Sequence, residues 1–163
     1  MDALECLRTR RSIRQFTQQP VDRQTLEQLV DVARFAPTAN NRQPWDFVVV
    51  TDRNKLQQLA QAVEWGKHIG QAAACIAVTV QPGTYAREDG ANAATYLALA
   101  ARAMGLGSCW VAGEPSPSSA KVKELLEIPM GVHLTCLLPI GYPAEDPTPD
   151  KRPLESVIHW DKY

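Results

Sequence analysis

Glu88-Asp-Gly-Ala-Asn-Ala-Ala-Thr-Tyr-Leu-Ala-Leu-Ala-Ala-Arg-Ala-Met104, closed by Gly105, is the longest helix-forming stretch of the chain. Ala and Leu are strong helix formers, and Gly105 is a normal helix C-cap. The stretch is apolar on most faces, so it belongs in a core or in a subunit interface. Working outward, Ser108 to Val111 reads as a strand. A helix with Val122, Leu125 and Leu126 starts at Ser118 or Ser119 and stops at Pro129. Leu134 to Ile140 reads as the next strand, ended by Gly141 and Pro143.

Upstream, Pro82 and Gly83 break a strand spanning Cys75 to Val80. Asp52 opens a helix carrying Leu56, Leu59, Ala60 and Val63. Phe47 to Val50 is a β-branched, apolar strand. Asp22 caps a helix with Leu26, Leu29, Val30 and Ala33 at helical spacing, ending before Pro37. A first short helix covers Ala3 to Leu7, and Pro37 to Pro44 reads as a loop. Helices mixed with four strands predict an α/β or α+β sandwich. At 163 residues, the whole of 1–163 reads as one domain. The amphipathic end, Leu154 to Tyr163, is too short to stand alone and must dock, with a partner subunit as one candidate surface.

The chain is 45% hydrophobic, enough for a core that needs neither disulfides nor a structural metal. Its formal net charge of −1 argues against a general nucleic-acid binder. No apolar run is long enough to span a bilayer. Cys6, Cys75, Cys109 and Cys136 form no CxxC pair, so neither a zinc site nor a redox dithiol is indicated. With no export signal, free thiols point to the cytoplasm.

Chemistry concentrates in a few places. Arg8, Arg10, Arg11 and Arg14 surround Ser12. This is either a solvated basic patch at a helix end or a phosphate site, since arginine binds phosphate through paired charge-assisted hydrogen bonds. Asn41-Arg-Gln43-Pro-Trp45 offers amide donors and acceptors that match a C=O/N–H/C=O ring edge, or else forms an ordinary polar loop. In Gly105-Leu-Gly107-Ser-Cys-Trp110-Val-Ala112-Gly113, glycines permit close backbone approach to a flat ligand. Lys151-Arg152 is a late cationic pair. His68, His133 and His159 are scattered and read as structural or surface residues.

In order and spacing these stretches resemble the nitroreductase family of flavin enzymes over residues 4 to 160. The motifs are Arg10-Arg-Ser12-x-Arg14-x-Phe16, Ala36-Pro-Thr38-x-x-Asn41-x-Gln43-Pro-Trp45, Gly105-Leu-Gly107-Ser-x-Trp110, Ile140-Gly-Tyr-Pro143 and Arg152-Pro-Leu154. The resemblance implies an α+β sandwich with a mainly antiparallel central sheet, assembled as an intertwined homodimer with FMN at the interface. It implies that Arg10, Ser12 and Arg14 hold the phosphate, ribityl chain and pyrimidine side, with Arg11 in the same motif and Arg152 as a C-terminal phosphate ligand. Pro37, Thr38, Ala39, Asn41 and Gln43 would reach FMN from the second subunit. Ala112 and Gly113 would flank the reactive flavin nitrogen.

The implied activity moves electrons from NADH or NADPH, through FMN, to a nitroaromatic, quinone or similar small flat acceptor in ping-pong steps. No side chain is expected to act as nucleophile or base, because the flavin carries the chemistry. An FMN-dependent dehydrogenase or oxidase is the second reading, and an anion-binding module without cofactor the third. Two departures stand out. The span from Trp65 to Cys75 leaves little room for the helical excursion that covers the flavin in longer members. No counterpart is evident for their mid-chain polar contacts to FMN.

Overall fold

The computed structural model describes residues 1–111 and 113–163. Five helices occur among them: α1 (Ala3–Thr9), α2 (Arg23–Ala33), α3 (Arg53–Ala62), α4 (Ala86–Ala103) and α5 (Ser119–Leu125). The strands are β1 (Trp45–Val50), β2 (Ala74–Val80), β3 (Gly107–Ser108) and β4 (His133–Gly141), in the order β1-β2-β4-β3. All three pairings are antiparallel, so the α+β expectation holds. No helix among the described residues is long and apolar enough to cross a membrane.

Local sequence explains the helix starts. Asp22 accepts the Thr25 N–H at 2.8 Å and Asp52 accepts the Lys55 N–H at 2.8 Å, each replacing a hydrogen bond that the first helical turn lacks. Every residue of β2 is buried, so helices must cover both of its faces. Ile76, Val78 and Val80 point toward α2 and α4, joining Leu29, Ala93, Leu97 and Leu138. Cys75 and Ala77 point the other way, against α3 and α5, with Leu56, Leu59, Val122 and Leu137. The alanine-rich stretch is therefore a core helix with one partly open side: Thr95 and Tyr96 are exposed.

The expected strand from Ser108 to Val111 is shorter in the structure. Only Gly107 and Ser108 form β3, and contact with β4 resumes at a single bridge between Val111 and Leu137. Leu137 exchanges both backbone hydrogen bonds with Val111. Two residues later Pro139 faces the same edge with no N–H to donate, so the ladder breaks opposite Cys109. Among the described residues the C-terminal stretch finds no buried seat: residues 151–163 are all exposed, and Leu154–Ser156 is a short 3-10 turn.

Val78 pairs with Cys136 and Thr79 with Leu134, which leaves Thr135 as the extra residue of a bulge. The bulge presses on two glycines. A Cβ on Gly90 of α4 would lie 2.2 Å from Thr135 Oγ1, and one on Gly113 would lie 1.8 Å from the Thr135 carbonyl oxygen. Gly113 also has φ +117°, a conformation that only glycine adopts easily. Gly90→Val is expected to destabilise the fold by about 1–3 kcal/mol through overpacking. Gly83→Ala, where a Cβ meets nothing within 4 Å, is expected to shift stability by less than about 0.5 kcal/mol. Urea denaturation of the two variants checks the contrast.

Candidate functional site

The arginine segment leaves α1 and is laid along the β3 edge of the sheet. Arg10 is the C-cap residue, and its N–H donates to the Cys6 carbonyl. The Arg11 guanidinium turns back to donate to the Arg8 and Arg10 carbonyls at 2.7 and 2.8 Å, satisfying carbonyls that the helix end leaves open. Ser12 bridges to Ser108, and the Ile13 N–H donates to the Ser108 carbonyl at 2.9 Å. Ile13 and Phe16 are buried and pin the segment. The Glu145 carboxylate, just past β4, accepts the backbone N–H groups of Arg14 and Gln15.

This places Arg10, Arg11, Ser12 and Arg14 around one cavity of about 570 Å³, closed on the far side by Pro147 to Pro149 and Lys151. Among the described residues, no carboxylate pairs with the guanidinium of Arg10 or Arg14. The cavity therefore carries unpaired positive charge and suits a multivalent anion.

Arg14 also borders a second cavity of about 400 Å³, with Trp65, His68, Cys109, Trp110 and Ser116. The short stretch after α3 is a 3-10 turn, Lys67–Gln71. Arg53 clamps it by donating to the Ala72 and Gly70 carbonyls at 2.7 and 2.6 Å, and Gln57 adds a bond to Gly70 at 2.9 Å. His68 is buried there, and burial together with the Arg14 charge holds its imidazole below the ordinary range. Burial pushes the thiols of Cys75, Cys109 and Cys136 up, so they behave as small apolar side chains.

The asparagine loop lies elsewhere in the same chain. Buried Asp89, in the first turn of α4, accepts the Ala39 N–H at 3.1 Å, and Asn92 donates to the Pro37 carbonyl at 3.0 Å. Gln43 donates from its backbone to Thr38 Oγ1 and from its amide to the Asn41 carbonyl. Asn40, Asn41 and Gln43 all have φ between 50 and 54°, an unusual cluster of left-handed residues. The arginine segment meets the opposite end of α4, where Arg102 donates to Thr9 Oγ1 at 3.1 Å. From Asp89 to Arg102 the helix axis runs about 20 Å.

Within one chain, then, Arg10, Arg11, Ser12 and Arg14 come together, whereas Pro37, Thr38, Ala39, Asn41 and Gln43 stand apart from them. Arg152 donates to the Ser156 carbonyl at 2.7 Å; Lys151 is the tail cation that lines the arginine cavity. Gly113 lies against the β4 bulge. Ala112 is outside the described residues. The sequence reading missed Glu145 and Asp89, and it took His68 as a structural or surface residue. Glu145 follows the quoted Tyr142-Pro143 motif by two residues, and that proximity was its one available signal. A groove of about 740 Å³ between α2 and β1 is bordered by Arg23, Glu27, Asp31 and Arg34, paired on the helix surface, and gathers none of these residues.

The fold is thus a helix-covered sheet that presents a cationic cavity beside one bordered by two indoles. The profile of the nitroreductase family matches residues 7–78 and 65–142. An Archaeoglobus fulgidus protein named "Putative NADH dehydrogenase/NAD(P)H nitroreductase" is 34% identical over 152 residues, covering 87% of each chain. The NADPH-flavin oxidoreductase of Vibrio harveyi is 28% identical, covering 99% of this chain and 75% of its own. The structure of an FMN-dependent nitroreductase from Clostridium difficile superposes with TM-score 0.92 at 26% identity, covering 98% of this chain and 99% of that one. The chain belongs to the nitroreductase family, and it is an oxidoreductase.

His68 gives the site a pH signature. Its folded-state pKa lies below the ordinary 6.5, so the unfolded chain binds more protons as pH falls. Its contribution is complete above about 6.5 and declines as pH drops from there toward the folded-state value. The urea midpoint of the parent is expected to fall between pH 7 and 5 more than that of His68→Asn. Parallel slopes for the two proteins would contradict this.

Proposed function

We propose that the protein is an FMN-dependent NAD(P)H oxidoreductase that passes electrons to a small flat acceptor such as a nitroaromatic or quinone. The observation that carries the reading is the unpaired cation cluster around one cavity, adjoining an aromatic cavity through Arg14. A phosphate monoester near its second pKa carries close to two negative charges, which two or three guanidiniums match. Arg10 and Ser12 would hold the phosphate and ribityl chain, with Lys151 and Arg152 closing over them from the tail. Arg14 would face the pyrimidine side of the ring, and Trp65 and Trp110 provide flat apolar walls beyond it. Bound FMN supplies the hydride chemistry. The chain's own work is orientation, electrostatics and shielding from water.

The separation of the two halves of the site along α4 supports a homodimer. The Pro37–Gln43 loop sits at one end of the helix and the arginine segment at the other, so one flavin meets both only if they come from different chains. The exposed apolar face of the tail, with Leu154, Val157, Ile158 and Trp160, also calls for a partner surface. Sedimentation equilibrium is expected to give a dimer at micromolar concentration, with a monomer as the contrary result.

Titrating the flavin-free protein with FMN tests the phosphate placement. Arg10→Ala removes a charge-assisted bond of roughly 1.5–3 kcal/mol, about a 10- to 100-fold loss of affinity. Arg8→Ala, outside the cavity, is expected to bind like the parent. Because nicotinamide and acceptor would use one ring face in turn, initial rates with both varied are expected to give parallel double-reciprocal lines. Intersecting lines, or no reduction by either nicotinamide, would favour a dehydrogenase or oxidase instead.

A further inference from the structure

We propose that Asp89 is a positioning residue for the flavin site: through the Ala39 N–H, its buried carboxylate holds the 37–43 loop in the shape that presents Asn41 to the ring bound by the other protomer. The inference rests on the FMN and homodimer readings above and concerns a residue that those readings leave without a role.

The loop is costly to hold. Asn40, Asn41 and Gln43 take φ between 50 and 54°. Left-handed residues other than glycine persist in such a cluster only where the surroundings determine them. Part of the bonding is internal: Asn41 N–H donates to the Thr38 carbonyl, Arg42 N–H to the Ala39 carbonyl and Gln43 N–H to Thr38 Oγ1, each at 3.2 Å. These bonds shape the loop without tying it to the body of the molecule. Among the described residues two hydrogen bonds do so, both from α4: Asp89 accepts the Ala39 N–H at 3.1 Å, and Asn92 donates to the Pro37 carbonyl at 3.0 Å. The two residues are three apart and share one face of the helix.

Asp89 is an unexpected residue for its place. It is 5% exposed and flanked by the buried Ala86, Gly90 and Ala93. Among the described residues no lysine, arginine or histidine forms an ion pair with it. A buried carboxylate is expensive unless it is hydrogen-bonded, and an apolar side chain would suit stability better there. The first turn of α4, where free helical N–H groups favour an anion, makes the charge tolerable. The charge in turn makes the Ala39 bond stronger than an amide–carbonyl bond.

The loop turns outward what the helix holds from behind. Asn41 and Gln43 are both exposed. The Gln43 amide is committed to the Asn41 carbonyl, whereas no bond among the described residues engages the Asn41 side chain. An amide with donor and acceptor both free matches a ring edge of C=O and N–H groups. Its placement depends on the backbone two residues from the Asp89 bond.

The test titrates flavin-free protein with riboflavin, which has the ring but no phosphate, and with FMN. Asp89→Ala is expected to weaken both by about 3- to 10-fold, the fold-change for one hydrogen bond. Their affinity ratio stays at the parent's value, whereas Arg10→Ala lowers it by acting on the phosphate. Asp89→Asn, which keeps an oxygen acceptor for Ala39, recovers part of the loss. Ala39→Pro removes the same bond without opening the core, and it carries the test if Asp89→Ala does not fold. Thr38 is already extended, at φ −132° and ψ 156°, as the residue before a proline must be. A role through Asn41 requires that either change combine with Asn41→Ala to lose no more than the larger single loss; independent roles would add. Riboflavin binding unchanged in Asp89→Ala and Ala39→Pro, or losses that add to that of Asn41→Ala, overturns the proposal and leaves Asp89 a structural residue of α4. A parent protein that binds neither flavin overturns the FMN reading and this inference with it.

Discussion

β2 runs through the centre of the molecule with all seven side chains buried, and the rest of the architecture follows from that. A strand with no wet face requires apolar cover on both sides, so the sheet needs two helical layers. Its one polar side chain, Thr79, meets this environment by donating to the Asp46 carbonyl at 3.3 Å. One layer is α4, whose small residues Gly90, Ala93, Ala94, Ala100 and Ala101 let the helix lie close to the sheet. An 18-residue helix pressed flat in this way has ends about 27 Å apart. The arginine segment and the Pro37–Gln43 loop sit at those two ends. The separation on which the homodimer proposal rests is therefore a consequence of how the core is covered.

The irregularities of β4 serve the site as much as its regular pairing does. Pro139 interrupts the ladder with β3, and the Thr135 bulge brings the Gly113 backbone against the strand. Past its end, Glu145 fastens the arginine segment by its backbone. The edge that β3 leaves is taken by Ser12 and Ile13, whose pairing continues the sheet as far as the segment that lines the cationic cavity. Side chains that hang from strand-like backbone are more tightly placed than those on a free loop.

Much of this was legible in the sequence because it depends on local rules. Asp22 and Asp52 announced their helices, and the apolar spacing of α2 and α3 gave their buried faces. The alanine-rich stretch announced a core helix, and the order of the arginine, asparagine and glycine motifs announced the family. What escaped depends on partners distant in the chain. Pro139 breaks β3 only because Leu137 establishes which edge it faces. Glu145 matters because it lies opposite Arg14, and Asp89 because it lies opposite Ala39. His68 looked like any isolated histidine; only the fold shows it buried, in a turn that Arg53 and Gln57 secure. Lys151 and Arg152 are adjacent in sequence, yet only the fold separates the one lining the cavity from the one bonded to Ser156.

The proposed anion site draws its support from how the carboxylate beside the arginine segment is used. Arg11 is matched internally, by two carbonyls at the end of α1. Among the described residues Arg10 and Arg14 have no such match, although a carboxylate stands within reach of the segment. Glu145 uses an oxygen for the backbone of Arg14 and Gln15 rather than for either guanidinium. Turning that carboxylate onto a guanidinium would have given one of the cations an internal partner. The observed arrangement instead holds the segment rigid through its main chain and leaves the cationic heads free. On the proposed reading, a phosphate dianion would supply the partner that the folded chain withholds from these guanidiniums.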